Sequence, residues 1–315
     1  MLKWILFLLL PKSAPVDDFP ALPRRKGAAM FVDLHLHSCF SDGTQTPEQI
    51  AAVAKARGFS LIALADHNTC AGYPALREAC GLLGVDCLPG MELDCRYDRY
   101  EIHILAYGFR MEEPLLALAG QCRHLLLEMS RDLVLRMEKD HPTLSLEEYD
   151  AWDYEPTLGG WKGLHYLLRK GVTQELTQGM ALYAAYGCDY TDYPFPSAEE
   201  VCRVIRQAGG IPVLAHPCNW FDAGDQEGLR THLDRLVEAG IGGIECYYPA
   251  NSPEMTRFCR DYCQRKGLLI TAGSDAHGDF QKRLHGVEYY IGAVRVERSQ
   301  VALHPLQTEN SEGEL

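Results

Sequence analysis

Histidine and carboxylate are the side chains of this 315-residue sequence best suited to chemistry, and nine of them recur at or just past short apolar runs. His35 and His37 close the segment Asp33-Leu34-His35-Leu36-His37, and residues two apart in a strand project to one side, so the two imidazoles converge. Asp42 follows in Ser41-Asp42-Gly43, His67 in Asp66-His67, and Glu92 after Gly90-Met91. His103 stands in Glu101-Ile102-His103, His216 in Ala215-His216-Pro217, and Asp275 with His277 in Gly273-Ser274-Asp275-Ala276-His277. A lone histidine in such a place is usually a satisfied core residue; six of the twelve histidines sharing it with three carboxylates point to a common purpose. The other six, His124, His141, His165, His232, His285 and His304, lack this placement and are assigned ordinary structural or solvated roles.

Neutral imidazole and carboxylate, without thiolate, suit Zn²⁺, Mn²⁺ or Fe²⁺. At three or four donors per ion, these residues would serve two or three ions, with Glu92 bridging a pair. Three divalent ions against three carboxylates leave a net charge of about +3, which would hold a phosphate and a hydroxide in a concave site. Such ions bring the pKa of coordinated water toward about 7 and stabilise both oxygens of an in-line displacement, so hydrolysis of a phosphate ester is the expected reaction. No Gly-x-Ser-x-Gly elbow lies near these residues and no Gly-x-x-x-x-Gly-Lys-Ser/Thr loop occurs, so serine acyl transfer and ATP-driven chemistry lose support.

The elements that must position these groups alternate strand with helix. Phe31–Leu36 predicts a buried strand, and Thr46, Pro47 and Gln49 then supply an N-cap, a first-turn proline and a capping-box partner for a helix that stops at Gly58. Ser60–Ala65, Val85–Pro89, Ile102–Ala106, Ile211–Ala215, Gly243–Cys246 and Leu268–Ala272 continue the series, with helices at Tyr73–Leu83, after Ser197 and Glu200, and after Ser252 and Pro253. About seven strand–helix units imply parallel strands with helical crossovers, an α/β fold that suits a closed barrel better than an open sheet. Residues 110–196 break the alternation. Leu115–Met137 is one long helical pattern, with shorter ones near Leu164–Leu168 and Leu176–Ala185, so a mainly helical insertion is expected to cap the site on a barrel made of residues 30–109 and 197–295.

Residues 1–29 are expected to lie outside the fold: Lys3 and the apolar run Trp4–Leu10 look like the start of a secretory signal, but the run is too short to span a bilayer. Residues 296–315 are expected to form a loose tail. Forty-three acidic against thirty basic residues give a net charge of −13, which opposes an extended nucleic-acid surface or an anionic membrane as partner. Twelve scattered cysteines without a Cys-x-x-Cys pair predict reduced thiols and a cytoplasmic protein.

Taken in order, Asp33-Leu34-His35-Leu36-His37-Ser38, Ser41-Asp42-Gly43, Ala65-Asp66-His67, Ala215-His216-Pro217 and Gly273-Ser274-Asp275-Ala276-His277 resemble the motifs of the PHP (polymerase and histidinol phosphatase) family of metal-dependent phosphoesterases, over about Phe31 to Ile291. Pro196-Ser197-Ala198-Glu199-Glu200 before Gly-Gly and Ala-His-Pro, with an insertion of this size, is similar to the stand-alone bacterial branch. That branch includes phosphoesterases of 5′-mononucleotides or 3′,5′-bisphosphates and 5′-to-3′ exoribonucleases.

The resemblance implies a distorted seven-stranded (β/α) barrel, TIM-like, with metals at its C-terminal face. It implies one ion on His35, His37, Glu92 and Asp275, a second on Glu92, His103 and His216, and a third on Asp42, His67 and His277. It also implies attack by a metal-bridging hydroxide, with Asp275, His216 and His277 acting through metal-bound water and His216 or His277 assisting the leaving group. The implied substrate is a small nucleotide or the 5′ end of a short RNA; the alternatives are another small-molecule phosphatase, such as one for histidinol phosphate, and a metal-binding scaffold without turnover. Where many relatives carry Gly-Arg-Pro-His in the insertion, this chain has Gly159-Gly160-Trp161-Lys162-Gly163. Lys162 as a point charge and Trp161 as a stacking face are the candidate substitutes.

Overall fold

The apolar run Phe31–Leu36 forms strand β1, five of whose six residues are buried. In the computed structural model, residues 30–284, 286–304 and 306 are described; the extension expected at 1–29, His285 and the chain from 307 onward lie outside them. Helix α1 (Pro47–Ala56) begins as its cap predicts: the Thr46 hydroxyl accepts from the Gln49 N–H while the Gln49 side chain accepts from the Thr46 N–H. Its buried Ile50, Ala51 and Ala54 pack with Ile62 and Leu64 of β2 (Phe59–Leu64) and Leu76 of α2 (Tyr73–Leu83). Strand β3 (Asp86–Leu88) pairs parallel with β2, and β2 with β1.

The chain then departs from the all-parallel expectation. Strands β4 (Gly90–Tyr97) and β5 (Tyr100–Tyr107) form an antiparallel hairpin with a register running from Gly90↔Tyr107 to Tyr97↔Tyr100. Its turn is only Asp98-Arg99, and so short a link reverses the chain, since a parallel crossover needs a dozen residues or more. Four helices follow: α3 (Leu115–Met137), α4 (Leu146–Ala151), α5 (Lys162–Arg169) and α6 (Leu176–Ala185). They build their own apolar cluster from Leu133, Val134, Met137, Tyr149, Tyr166 and Leu167.

Alternation resumes with α7 (Ala198–Gln207), β6 (Ile211–Leu214), α8 (Gln226–Ala239), β7 (Gly243–Tyr247), α9 (Pro253–Lys266) and β8 (Leu269–Ala272). A small pair, β9 (Arg283–Leu284) with β10 (Val287–Glu288), precedes β11 (Val296–Glu297). β11 pairs antiparallel with β1, a 3-10 turn follows at Arg298–Gln300 and Ala302 bridges Ile270, so the expectation of a loose tail from 296 is corrected as far as 302 by backbone hydrogen bonding.

The strands form a four-stranded sheet, β11-β1-β2-β3, and a five-stranded sheet, β4-β5-β6-β7-β8. They are not closed into a seven-stranded barrel; among the described residues, isolated bridges at Leu36↔Ala276, His67↔Glu92 and Ile270↔Ala302 link them. The fold is mixed α/β. Val32, Leu34, Leu61, Leu105, Val213 and Leu269 from both sheets share one buried cluster, which sets the strand ends at fixed relative positions. Among the described residues no helix is long and apolar enough to cross a membrane.

Candidate metal centre

Glu92 lies inside β4 and His103 inside β5, not past strand ends as the sequence suggested, because the hairpin extends through both. Alternation along β4 puts Glu92 and Asp94 on one face, and the register sets Asp94 opposite His103. The Glu92 carboxylate is the hub. Its Oε2 lies 3.2 Å from His35 Nε2, 3.3 Å from His37 Nε2 and 3.4 Å from His67 Nε2. Its Oε1 lies 3.0 Å from both His103 Nδ1 and His216 Nε2. Asp275 Oδ1 is 3.1 Å from His37 Nε2 and 3.4 Å from His35 Nε2, while Asp42 Oδ1 is 3.4 Å from His37 Nδ1 and its Oδ2 3.3 Å from His277 Nε2. All nine sequence candidates therefore meet in one place.

Local structure aims them. Asp66, buried at the end of β2, accepts from the Ser38 N–H and hydroxyl at 2.7 Å each and from the Ser41 hydroxyl at 2.6 Å, which fixes the loop carrying Asp42. His277 Nδ1 donates to the Asp275 carbonyl at 2.8 Å and leaves Nε2 toward Asp42. His216 (φ 27°) and Asp275 (φ 50°) adopt left-handed backbone that non-glycine residues rarely accept, a strain typical of functional loops.

The donor set fits divalent cations. His35, His37 and Glu92 are at most 1% exposed, and His35 Nε2, both His37 ring nitrogens and His216 Nδ1 lack a hydrogen-bond partner despite burial. Burial opposes ionisation of Glu92, Asp42 and Asp275, yet the surrounding imidazoles outweigh it and hold all three carboxyls below their usual range. Charged carboxylates this deep need cations, and imidazole lone pairs together with carboxylate oxygens are the donors such cations take. Four sets of donor atoms lie within 4.8 Å of one another: His35, His37, Glu92 and Asp275; Glu92, His103 and His216; His37, Asp42, His67 and His277; and His67, Asp94 and His103. In the last set the atoms nearest Asp94 Oδ1 are His67 Nδ1 and His103 Nε2, whose partner nitrogens already face Glu92. An ion there would need both rings to bridge as imidazolates, so Asp94 stands behind the donors, 3.2 Å from His103 Nε2, which also meets Glu101 Oε1 at 3.1 Å.

Sequence reasoning missed Asp94, Glu245 and Asp33, all fully buried. Their signal was an acid inside an apolar run, as in Gly243-Ile244-Glu245-Cys246. Asp33 accepts from the Ser274 and Gly292 N–H groups, and burial pushes its carboxyl up to about 7. The two candidate substrate residues part company. Trp161 packs its ring 5.7 Å from that of His67, whereas the Lys162 ammonium sits 4.6 Å over Tyr149 inside the helical cluster, so Lys162 does not face the centre. A cation–π contact holds this half-buried side chain there, and its partial desolvation lowers its pKa. Trp220, unremarked in the sequence, lies 5.4 Å from the His103 ring and 5.5 Å from that of His216. Of the histidines set aside, His165 bonds the Gly159 carbonyl, His232 stacks on Phe221, and His141 meets the Tyr186 hydroxyl.

Comparison with known proteins follows this geometry. A family model described as the PHP domain matches residues 33–154. A phosphoribosyl 1,2-cyclic phosphate 1,2-diphosphodiesterase from Eggerthella lenta is 32% identical over 270 residues, covering 81% of this chain and 97% of the relative. A 3′,5′-nucleoside bisphosphate phosphatase from Chromobacterium violaceum is 30% identical over 255 residues, covering 78% of this chain and 87% of the relative. The crystal structure of a Bifidobacterium adolescentis protein assigned as a metal-dependent phosphoesterase superposes with a TM-score of 0.68 at 28% identity, covering 85% of this chain and 93% of that one.

Proposed function

Because this chain belongs to the PHP family and is a metal-dependent phosphoesterase, we propose that it hydrolyses phosphate esters of small nucleotides, a 5′-mononucleotide or 3′,5′-bisphosphonucleotide, or of short RNA from its 5′ end. The observation that carries this reading is the convergence of five imidazoles on Glu92, with His277, Asp42 and Asp275 beside them and buried ring nitrogens left without partners. Two to three divalent ions, Mn, Fe or Zn, would be held by His35, His37, Glu92 and Asp275, by Glu92, His103 and His216, and by Asp42, His67 and His277. When bound, such ions supply a hydroxide nucleophile near neutral pH and neutralise phosphoryl oxygens.

The chain's own residues do the rest. Glu92 spans the centre with both oxygens, Asp275 and Asp42 both meet His37 and His277 on its Oε2 side while His103 and His216 stand at Oε1, and the strained loops at His216 and Asp275 hold those side chains toward it. Trp161 and Trp220 flank the centre on different elements and offer flat faces for a base. Residues 110–196 cap the site in this reading: the Gly160 N–H donates to the Asp42 carbonyl at 2.6 Å, beside Trp161. We take residues 30–109 and 197–295, whose two sheets share one core without closing, as a distorted barrel-like unit interrupted by the hairpin. The twelve free cysteines support a reducing, cytoplasmic setting.

The test is a panel with Mn²⁺: AMP, a 3′,5′-bisphosphonucleotide, short 5′-phosphorylated RNA, a ribosyl 1,2-cyclic phosphate and histidinol phosphate, with products resolved. Fast turnover of a nucleotide or RNA is expected. Turnover confined to the cyclic phosphate or to histidinol phosphate would replace the substrate class, and none at all would leave a scaffold.

A further inference from the structure

We propose that Glu245, outside the donor sets above, is the positioning residue that decides which nitrogen of His35 is free to bind an ion and where His216 stands. Glu245 lies in β7 and is fully buried. Its Oε1 is 3.0 Å from His35 Nδ1, and its Oε2 accepts from the His216 backbone N–H at 2.8 Å. A carboxylate against Nδ1 keeps the ring proton there and leaves the lone pair on Nε2. His35 Nε2 is the atom without a hydrogen-bond partner, 3.2 Å from Glu92 Oε2 and 3.4 Å from Asp275 Oδ1.

The second contact steadies a strained residue. His216 holds φ 27° and ψ 64°, and the Glu245 bond to its N–H anchors it while its Nε2 reaches Glu92 Oε1 at 3.0 Å. One carboxylate thus grips a ligand on each side of the Glu92 hub, His35 at Oε2 and His216 at Oε1. Gly273 makes the contact sterically feasible: a Cβ there would lie 2.2 Å from the His35 Cβ and 2.4 Å from Glu245 Oε1. The inference rests on the metal-centre reading, and its test reads metal binding and ring tautomer rather than turnover.

Glu245→Gln keeps the volume but has a single carbonyl oxygen, so it cannot accept from both His35 Nδ1–H and the His216 N–H. In the zinc-loaded wild-type protein, ¹⁵N-histidine spectra are expected to show His35 protonated at Nδ1 and bound through Nε2. Glu245→Gln is expected to lower zinc affinity, measured by chelator competition, by about 10- to 100-fold while the metal-stripped protein keeps its wild-type circular dichroism and unfolding midpoint. Binding of zinc to wild-type His35 through Nδ1, or a folded E245Q protein of unchanged affinity, overturns the proposal. If E245Q does not fold, the wild-type spectrum alone decides. A wild-type protein that binds no zinc would instead overturn the metal-centre reading itself.

Discussion

The strand ends and the helical insertion bury opposite kinds of side chain. Within the strands and the loops that leave them, Asp33, His35, His37, Asp42, Asp66, Glu92, Asp94, His216, Glu245 and His277 are all buried. Between 110 and 196 the buried polar side chains among the described residues are Ser130 and Thr173, and the interior is otherwise apolar, mainly leucine, methionine and tyrosine with Val134, Cys122, Cys188 and Phe195. Burying a charge costs several kcal/mol unless it is paired or coordinates a cation. The strand ends therefore carry a stability cost that only bound ions and mutual hydrogen bonds offset, whereas the insertion is held by ordinary packing. Among the described residues it reaches the centre through the Gly160 N–H on the Asp42 carbonyl, the Trp161 ring beside His67 and the Cys122 thiol against the Asp94 carbonyl. Its sequence can change without disturbing the donors, which suits a region that sets specificity.

Removing the ions should expose this contrast most strongly. A chelator is expected to abolish phosphoesterase activity, Mn²⁺ or Zn²⁺ to restore it, and elemental analysis of the mildly purified protein to return about two to three equivalents per chain; less than one would refute the multinuclear centre. Next comes Asp275→Asn, which tolerates the φ of 50° but gives up a charged donor. A loss of about 100-fold or more in kcat with an unchanged circular dichroism spectrum is expected, and wild-type rates would remove Asp275 from the mechanism. In the insertion the effects should be smaller and fall on binding. Trp161→Ala is expected to raise KM for nucleotides by about 5- to 100-fold while sparing kcat on a phosphate ester without a base, the size of one lost stacking face. Gly160→Ala forces a side chain into φ 65° and 2.5 Å from the Phe280 ring, so the loop should lift from Asp42 at a stability cost of about 1 kcal/mol, seen as a small drop in Tm. Smallest of all, Lys162→Met should leave kcat/KM unchanged and cost about 0.5–1 kcal/mol of stability through its lost contact with Tyr149.

Local signals were legible wherever the physics is local. The Thr46–Gln49 cap set the start of α1, and apolar runs located β1, β2 and β8 to within a residue or so. The β4–β5 hairpin was not legible, because its turn, Asp98-Arg99, lacks the Asn-Gly or Asp-Gly pair that marks a tight reversal, and Arg96 to Glu101 is polar enough to hide the alternation. That omission displaced Glu92 and His103 to strand ends and left the antiparallel half of the second sheet unseen. Lys162 was misread for a related reason: position in a motif does not say which way a flexible side chain turns, and the ring of Tyr149, thirteen residues earlier, claimed it.

Residue types along the chain determined the donor chemistry, since imidazole and carboxylate carry their preference for hard and borderline cations wherever they stand. They also determined most helix starts, because a cap is satisfied within four residues. Only the tertiary structure decided which donors share a space and which acids stand behind them. Glu245 meets His35 across 210 residues of sequence, and no local rule reaches that far; it is the packing of two sheets around one core that brings them within 3.0 Å.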